Sequence, residues 1–173
     1  MEALLTDTLC TRCGLCCDGT LFADVELAHR AEATRLEALG LEIESDDEAP
    51  LLVQPCAALH GRRCSIYAHR PGCCRTFECR LLQDVRRGAV SEERAHAHIS
   101  KALASIAEVR SLLVQLGAGD ARLPLRERCA EALMVSGATG ATITRKRSRL
   151  RSAMDGLERQ IRAVFLDGRG STD

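Results

Sequence analysis

The chain has 173 residues, enough for one domain or a small domain with an extension, and 46% of them are hydrophobic, so a core can form. Its 24 Lys and Arg residues balance 24 Asp and Glu residues, so global charge favours neither nucleic acid nor membrane binding. No apolar stretch is long enough to span a bilayer. Because the N-terminus lacks a secretory pattern, the ten cysteines indicate a reducing compartment, the cytoplasm, where such clusters bind metals or serve catalysis.

The first part of the chain, up to residue 88, holds nine of the ten cysteines and few long periodic segments. We predict a helix over residues 24–40, because Asp24 is a suitable cap, Leu27 and Leu36 follow helical spacing, and Gly40 is a stop signal. The other elements predicted for this part are an acidic turn at 45–50, short strands at 51–54 and 64–67, and a helix over 77–88.

The second part, beyond Gly88, is rich in Ala, Leu and Arg and predicts three helices. The first follows Ser91, a suitable N-cap, and carries an apolar stripe that ends near Leu116. A shorter helix covers 124–136, and a last one covers 144–166 with apolar residues seven apart. Such stripes need burial, most simply against each other in an antiparallel bundle, or against a protein partner or a second copy of the chain.

These patterns together predict a mainly α fold. We expect a loop-rich, cysteine-rich N-terminal half with at most a short β-hairpin, followed by long antiparallel helices. The predicted divisions are a metal-binding domain at 1–88, a helical region at 89–167 and a flexible tail at 168–173.

Four cysteines lie within eight positions of the stretch "CTRCGLCC", at residues 10 to 17. Adjacent cysteines such as Cys16 and Cys17 rarely form a disulfide with each other, because the linking peptide is strained. Cys10, Cys13 and Cys16 lie three apart, so one turn or loop can direct their sulfurs toward a common point. This spacing suits a metal better than a set of crosslinks.

The separated blocks "CTRCGLCC", Cys56, "CSIYAHRP" from Cys64 and "CRTFEC" from Cys74 resemble the YkgJ-type CxxCxxCC family of zinc- or iron-chelating proteins. The resemblance covers about residues 10 to 88. It implies that the metal ligands are Cys10, Cys13, Cys16, Cys17, Cys56, Cys64, Cys74 and Cys79. Eight thiols suffice for two four-sulfur sites or one polynuclear site.

The identity of the metal stays open between zinc and iron, since all-thiolate sites accept both. The spacing differs from that of ferredoxin-type iron–sulfur proteins, which favours zinc slightly. An iron–sulfur redox protein or a methyltransferase-like enzyme is the alternative, although no catalytic constellation is evident. A third hypothesis is a structural metal domain attached to a partner-binding helical half.

Several other residues near the cysteines have open roles. His60 and Cys73 are further candidate ligands, although a loop histidine and a small packed thiol are the simpler interpretations. Tyr67, Pro71 and Phe77 match the family blocks and are expected to pack around the site. The arginines of this region can offset thiolate charge and donate hydrogen bonds to sulfur.

Two features lie outside the resemblance. Cys129 lies on an apolar helix face and is predicted to be a core residue. The basic run "RKRSRLR" at 145–151 is typical of a solvated helix face, and the neutral overall charge with few aromatic residues disfavours a nucleic-acid partner.

Overall fold

The computed structural model describes residues 2–44, 49–118, 120–134 and 140–166. The fold is mainly helical with short antiparallel strands in the N-terminal half, which confirms the predicted class. The helices are α1 (Glu2–Cys13), α2 (Arg30–Glu37), α3 (Gly72–Thr76), α4 (Arg80–Arg86), α5 (Glu92–Gln115), α6 (Leu125–Met134) and α7 (Ala141–Val164). The strands are β1 (Asp24–Glu26), β2 (Ile43–Glu44), β3 (Leu51–Val53), β4 (Leu59–His60) and β5 (Arg63–Cys64).

The chain divides into two compact units. The cysteine-rich unit comprises Thr6–Glu78 and Ala121–Pro124. The helical unit comprises Met1–Leu5, Cys79–Asp120 and Leu125–Asp173. This division falls at Cys79, whereas the sequence prediction divides the chain at residue 88, so α4 belongs to the helical unit. The predicted tail at 168–173 and residues 45–48 of the predicted acidic turn lie outside the described residues.

Helix α5 begins where the sequence predicts. The Ser91 side chain accepts a hydrogen bond from the backbone N–H of Arg94 at 3.3 Å, so Ser91 is the N-cap. Glu92 and Glu93 occupy the first turn, where negative charge is favourable near the positive end of the helix dipole. The helix ends before Gly117, whose φ of 76° is a left-handed conformation that glycine adopts without strain.

The two long helices α5 and α7 pack against each other in an antiparallel arrangement. Ser105 on α5 is hydrogen-bonded to Gln160 on α7, and Lys146 on α7 donates to the carbonyl of Gln115 on α5. The later residue of α5 thus contacts the earlier residue of α7, so the two helices run in opposite directions. The predicted stripes supply the contact, because Ile106 on α5 and Leu150 and Leu157 on α7 are buried. Each such side chain contributes about 1.5–3 kcal/mol by leaving water. The stripes are therefore covered within the helical unit itself.

The predicted helix over 24–40 is wrong in its first part. Residues Asp24–Glu26 form strand β1, which pairs antiparallel with β3 in the register Val25 opposite Leu52. Helix α2 begins only at Arg30. Pairing with a strand more than twenty residues away overrides the local helical preference of this segment.

Strand β3 is central in a three-stranded sheet of order β1-β3-β2, and β4 and β5 form a separate hairpin. The prediction of a strand at 51–54 is thus confirmed for Leu51–Val53. The predicted strand at 64–67 is shorter than expected, since only Cys64 pairs and Tyr67–His69 form a 3₁₀ turn.

The core of the cysteine-rich unit is a small cluster of aliphatic side chains. Half-buried Cys56, Cys64, Cys73 and Cys74 pack against this cluster. Four thiols therefore pack against the same aliphatic cluster. The buried members of the cluster are Leu27, Ala33, Leu36, Leu41, Leu52 and Ala58.

Replacing Gly19 by alanine is expected to destabilise the cysteine-rich unit more than the same change at Gly61. Both glycines have positive φ, 74° and 62°, so each substitution costs about 1 kcal/mol in backbone strain. A Cβ at Gly19 also meets the Pro124 Cα at 3.1 Å and the Pro55 Cγ at 3.2 Å, whereas a Cβ at Gly61 has open space. We expect Gly19→Ala to lose roughly 2–4 kcal/mol in denaturant unfolding and Gly61→Ala about 1 kcal/mol. Equal losses would contradict the tight packing at Gly19.

Candidate metal centre

The first cysteine segment begins on a helix that the sequence did not predict. Cys10 and Cys13 occupy the last turn of α1, three positions apart, and so lie on the same side of that helix. The helix ends at Gly14, whose φ is 72° and whose N–H donates to the Cys10 carbonyl at 3.1 Å. The turn thus directs the chain from one cysteine pair to the next.

A tight turn then presents Cys16 and Cys17. The N–H of Cys17 donates to the Gly14 carbonyl at 3.0 Å, and Leu15 between them is fully buried, which fixes this turn to the unit. Asp18 follows, and its carboxylate accepts a hydrogen bond from the N–H of Thr20 at 3.0 Å. The two adjacent cysteines are both half-buried.

The two cysteine segments meet through their backbones. The N–H of Cys56 donates to the carbonyl of Cys17 at 2.8 Å, and also lies 3.0 Å from Oε1 of the buried Gln54 side chain. Residues 39 positions apart in sequence are thereby held side by side. A buried amide that accepts from this N–H restrains the backbone that carries Cys56.

A second contact joins the end of α1 to the β4–β5 hairpin. The Arg62 guanidinium donates to the Arg12 carbonyl at 3.2 Å. A Cβ built at Gly14 would lie only 3.3 Å from the Arg62 Cα, so the two turns touch closely. The segment "CTRCGLCC" and the hairpin that carries Cys64 therefore lie against each other.

A third contact involves the aromatic residues. Phe22 and Phe77 pack edge to face with ring centroids 5.1 Å apart. Phe77, which the sequence predicts to pack around the site, is 40% exposed and has this contact with Phe22. An edge-to-face pair stabilises by about 0.5–1.5 kcal/mol beyond its buried area, so this contact also ties the two segments together.

The thiols of this unit influence one another electrostatically. The pKa of the Cys17 thiol is raised to about 12, first by burial and then by neighbouring Cys56, Cys64 and Asp18. The pKa of Cys74 is raised, first by burial and then by Cys73, whose side chain is hydrogen-bonded to it, and by Cys17 and Cys56. Burial also raises the pKa of Cys56. These thiols are thus neighbours in a poorly solvated environment, where ionisation requires a compensating positive charge.

Arg70 supplies one such charge. Its guanidinium lies 3.6 Å from the centroid of the Tyr67 ring, and its Nε donates to the Tyr67 carbonyl at 3.1 Å. The positive charge of Arg70 acts to lower the pKa of Cys17, although burial outweighs it. The "IYAHRP" block therefore positions an arginine beside the thiols, and its Tyr67 holds that arginine in place.

The predicted ligands fall into three groups. Cys17, Cys56, Cys64 and Cys74 are brought together in the cysteine-rich unit, with Cys73 beside them. Cys10, Cys13 and Cys16 lie on the adjoining segment of that unit, half-buried. Cys79 is the N-cap of α4 in the helical unit. The assignment of all eight as ligands stays a prediction.

The remaining candidates are simpler to describe. His60 is exposed on the β4–β5 hairpin, opposite Arg63. Cys129 is buried in the helical unit, which confirms its prediction as a core residue, and burial raises its pKa to about 11. Sequence reasoning left Cys73 out of the ligand set because its position varies in the family pattern. Its adjacency to Cys74 was the available signal.

The donors are thiols without crosslinks. None of the ten cysteines, all of which lie in the described part of the chain, forms a disulfide. Across residues 2–44, 49–118, 120–134 and 140–166, no three His, Cys, Asp or Glu side chains already stand in an arrangement that could hold a metal ion. The thiols are thus neighbours rather than a closed cage, and binding an ion requires their side chains to turn toward a common point.

Comparison with known proteins gives one match. The family model described as "CxxCxxCC: Putative zinc- or iron-chelating domain" matches residues 9–100. No curated protein and no solved structure matches the chain significantly. Of the helices in the described part of the chain, none is both long and apolar enough to cross a membrane.

Proposed function

Because this chain belongs to the CxxCxxCC family of zinc- or iron-chelating domains, we propose that its cysteine-rich unit binds zinc or iron through thiolate sulfurs. Cys17, Cys56, Cys64 and Cys74 are the proposed central ligands. Cys10, Cys13 and Cys16 on the adjoining segment are proposed as further ligands, and Cys79 as the eighth ligand stays a prediction of the family resemblance. Zinc is the preferred metal, on the spacing of the cysteines.

The observation that carries this proposal is the hydrogen bond from the Cys56 N–H to the Cys17 carbonyl, at 2.8 Å. It holds two cysteine segments side by side in one unit. A metal site built from distant segments needs such a junction, because ligands on unconnected loops would lose conformational entropy on binding.

The chemistry of the donors fits the metal. Thiolate is the ligand type that zinc and iron–sulfur centres share. In the metal-free protein the Cys17 thiol, with a pKa of about 12, stays protonated at neutral pH. A bound cation supplies the positive charge that the desolvated sulfurs lack, and binding releases their protons to solvent.

The surroundings of the thiols also support a metal role. The arginine at position 70 offsets part of the negative charge of a thiolate set, and the aliphatic cluster under Cys56, Cys64 and Cys74 limits the access of water. Both effects are typical of groups that tune a thiolate centre from outside its ligands.

We also propose that the protein works in the cytoplasm. Its cysteines form no disulfides among the described residues, and they require a reducing environment to remain available for a metal, which cytoplasmic glutathione and thioredoxin provide.

Elemental analysis of protein purified without oxygen tests the proposal. We expect bound zinc or iron at one or more ions per chain, and a visible spectrum that separates the two candidates. Colourless protein with zinc supports the preferred metal, while a brown protein that bleaches on reduction supports an iron–sulfur centre and a redox role. Protein that holds neither metal, after purification in buffers supplied with both, would refute the function.

A further inference from the structure

The exposed side of α7 carries a concentration of positive charge that metal binding does not use. The helix contains seven of the chain's 24 basic residues and two of its 24 acidic residues, so its formal charge is +5 and the rest of the chain carries −5. The net charge of the whole chain is therefore zero although α7 is strongly positive and the rest of the chain is negative. This neutral total, together with the few aromatic residues, is why the sequence alone disfavours a nucleic-acid partner.

The structure separates the basic residues that have local roles from those that do not. Lys146 and Arg147 are half-buried, and Lys146 donates to the Gln115 carbonyl. Five arginines are exposed instead, and we call them the arginine face. They are Arg145, Arg149, Arg151, Arg159 and Arg162.

Exposed Asp155 is the one acidic residue of α7 that lies within the arc of the arginine face. None of its five guanidinium groups forms an ion pair with another residue in the part of the chain that the structure describes. Helical geometry places the five within an arc of about 160°, opposite buried Leu150, Leu157 and Ile161, and over an axial length of roughly 26 Å. Ser148 and Ser152, which are exposed on the same side, add hydroxyl donors.

The surroundings and composition of the arginine face favour one class of polyanionic partner over the others. Its apolar opposite side is buried in the packing with α5, so α7 cannot insert into a bilayer surface as amphipathic membrane helices do. Protein interfaces normally include exposed apolar anchors, yet the exposed large hydrophobic residues among those described are Leu39, Phe77, Val114 and Met134, none of them on α7. A partner recognised by charge alone fits better.

Arginine and serine are suited to phosphate. The planar guanidinium donates two parallel hydrogen bonds to phosphate oxygens, and serine hydroxyls commonly contact phosphates. The helix has no aromatic residue, so it offers no platform on which unpaired bases could stack. Duplex nucleic acid, with one phosphate per about 1.7 Å of axis, presents the densest regular array of such groups.

We propose that the arginine face of α7 binds the phosphate backbone of duplex nucleic acid without sequence preference. This inference is independent of the metal proposal, since it rests on the helical unit alone. Phosphate neutralisation releases bound counterions, so the affinity depends steeply on salt. With five contacts, the dissociation constant is expected to rise roughly 500-fold between 50 and 200 mM salt.

Fluorescence anisotropy with a labelled 20-base-pair DNA duplex of arbitrary sequence tests this binding on the full chain. The variant Arg145→Gln/Arg149→Gln/Arg151→Gln removes three contacts, and we expect the slope of log affinity against log salt to fall by about 2.7. The matched control Arg94→Gln/Lys101→Gln/Arg110→Gln removes three exposed charges from α5. It is expected to keep most of the slope.

Two further probes test whether the arginine face binds an acidic polypeptide or an anionic membrane instead. Poly-glutamate represents an acidic polypeptide, and phosphatidylserine vesicles represent an anionic membrane. The single variant Arg149→Gln, expected to lower the slope by about 0.9, serves if the triple variant folds poorly. Equal loss in the α7 and α5 variants, absence of duplex binding at 50 mM salt, or stronger binding of poly-glutamate or vesicles than of the duplex would overturn the proposal.

Discussion

Removing the metal under reducing conditions is expected to unfold the cysteine-rich unit while the helical unit stays folded. Among the described residues, the buried apolar side chains number eight in the cysteine-rich unit and sixteen in the helical unit. With only eight buried apolar side chains, the cysteine-rich unit gains little folding free energy from its core, so we expect it to need a further stabilising element such as a metal. Structural zinc contributes about 10–16 kcal/mol to the folding of small domains that depend on it.

Amide hydrogen exchange measures the protection of backbone amides in both units in one sample. After treatment with a strong chelator and a thiol reductant, we expect the amides of β3, the central strand of the sheet, to lose their protection. The amides around Ile106 in α5 should exchange as slowly as before, because α5 packs with α7 in a unit that has no part in the central thiol group. Adding the metal back serves as the control for reversibility. Unchanged protection of β3 in fully metal-free protein would show that the unit folds without it.

Replacing Cys17 or Cys56 by alanine is expected to release the metal, and replacing both is expected to do little more. The two residues belong to separate segments held together by a backbone hydrogen bond, so each variant removes a sulfur from the same proposed site. Loss of groups outside the ligand shell already costs 10–100-fold in affinity, so loss of a ligand should cost roughly a hundredfold or more. Groups that act as one unit give strongly non-additive losses.

Cys129→Ala is the matched control for these variants. Cys129 is also a buried thiol with a raised pKa, but it belongs to the helical unit. We expect it to lower the unfolding temperature by a few degrees, because a buried sulfur is lost, and to leave the metal content unchanged. Additive losses of metal affinity from Cys17→Ala and Cys56→Ala would assign the two cysteines to different sites. Metal loss in Cys129→Ala would show that metal binding responds to the general stability of the protein.

The helical half was largely predictable because its information is local. The apolar stripe of α5 and the cap at Ser91 lie within one segment, and the structure bears out both. Strand β1 was mistaken for helix because its state depends on pairing with β3, which no local pattern encodes. Helix α1 was missed since the closely spaced cysteines favoured a turn or loop and residues 2–13 show no clear apolar stripe.

The family was predictable from the sequence, but the arrangement of the thiols was not. The cysteine spacing and the family blocks identified the thiols, and the match to the family model confirms the family. Which thiols are neighbours depends on tertiary contacts such as the hydrogen bond from Cys56 to Cys17 and that from Arg62 to Arg12, which the spacing within a cysteine motif does not encode. The proximity of Arg70 to Cys17 likewise required the fold, whereas Cys73 stands next to Cys74 in the sequence itself.

In the proposed metal centre, thiols from both cysteine segments share a metal. Mass spectrometry of thiol alkylation, with and without chelator, measures this residue by residue. We expect Cys17, Cys56, Cys64 and Cys74 to be protected together in the metal-loaded protein and to react together once the metal is removed, while Cys129 reacts equally slowly in both states. Protection confined to one segment, or alkylation of all four that does not respond to metal, would contradict the account.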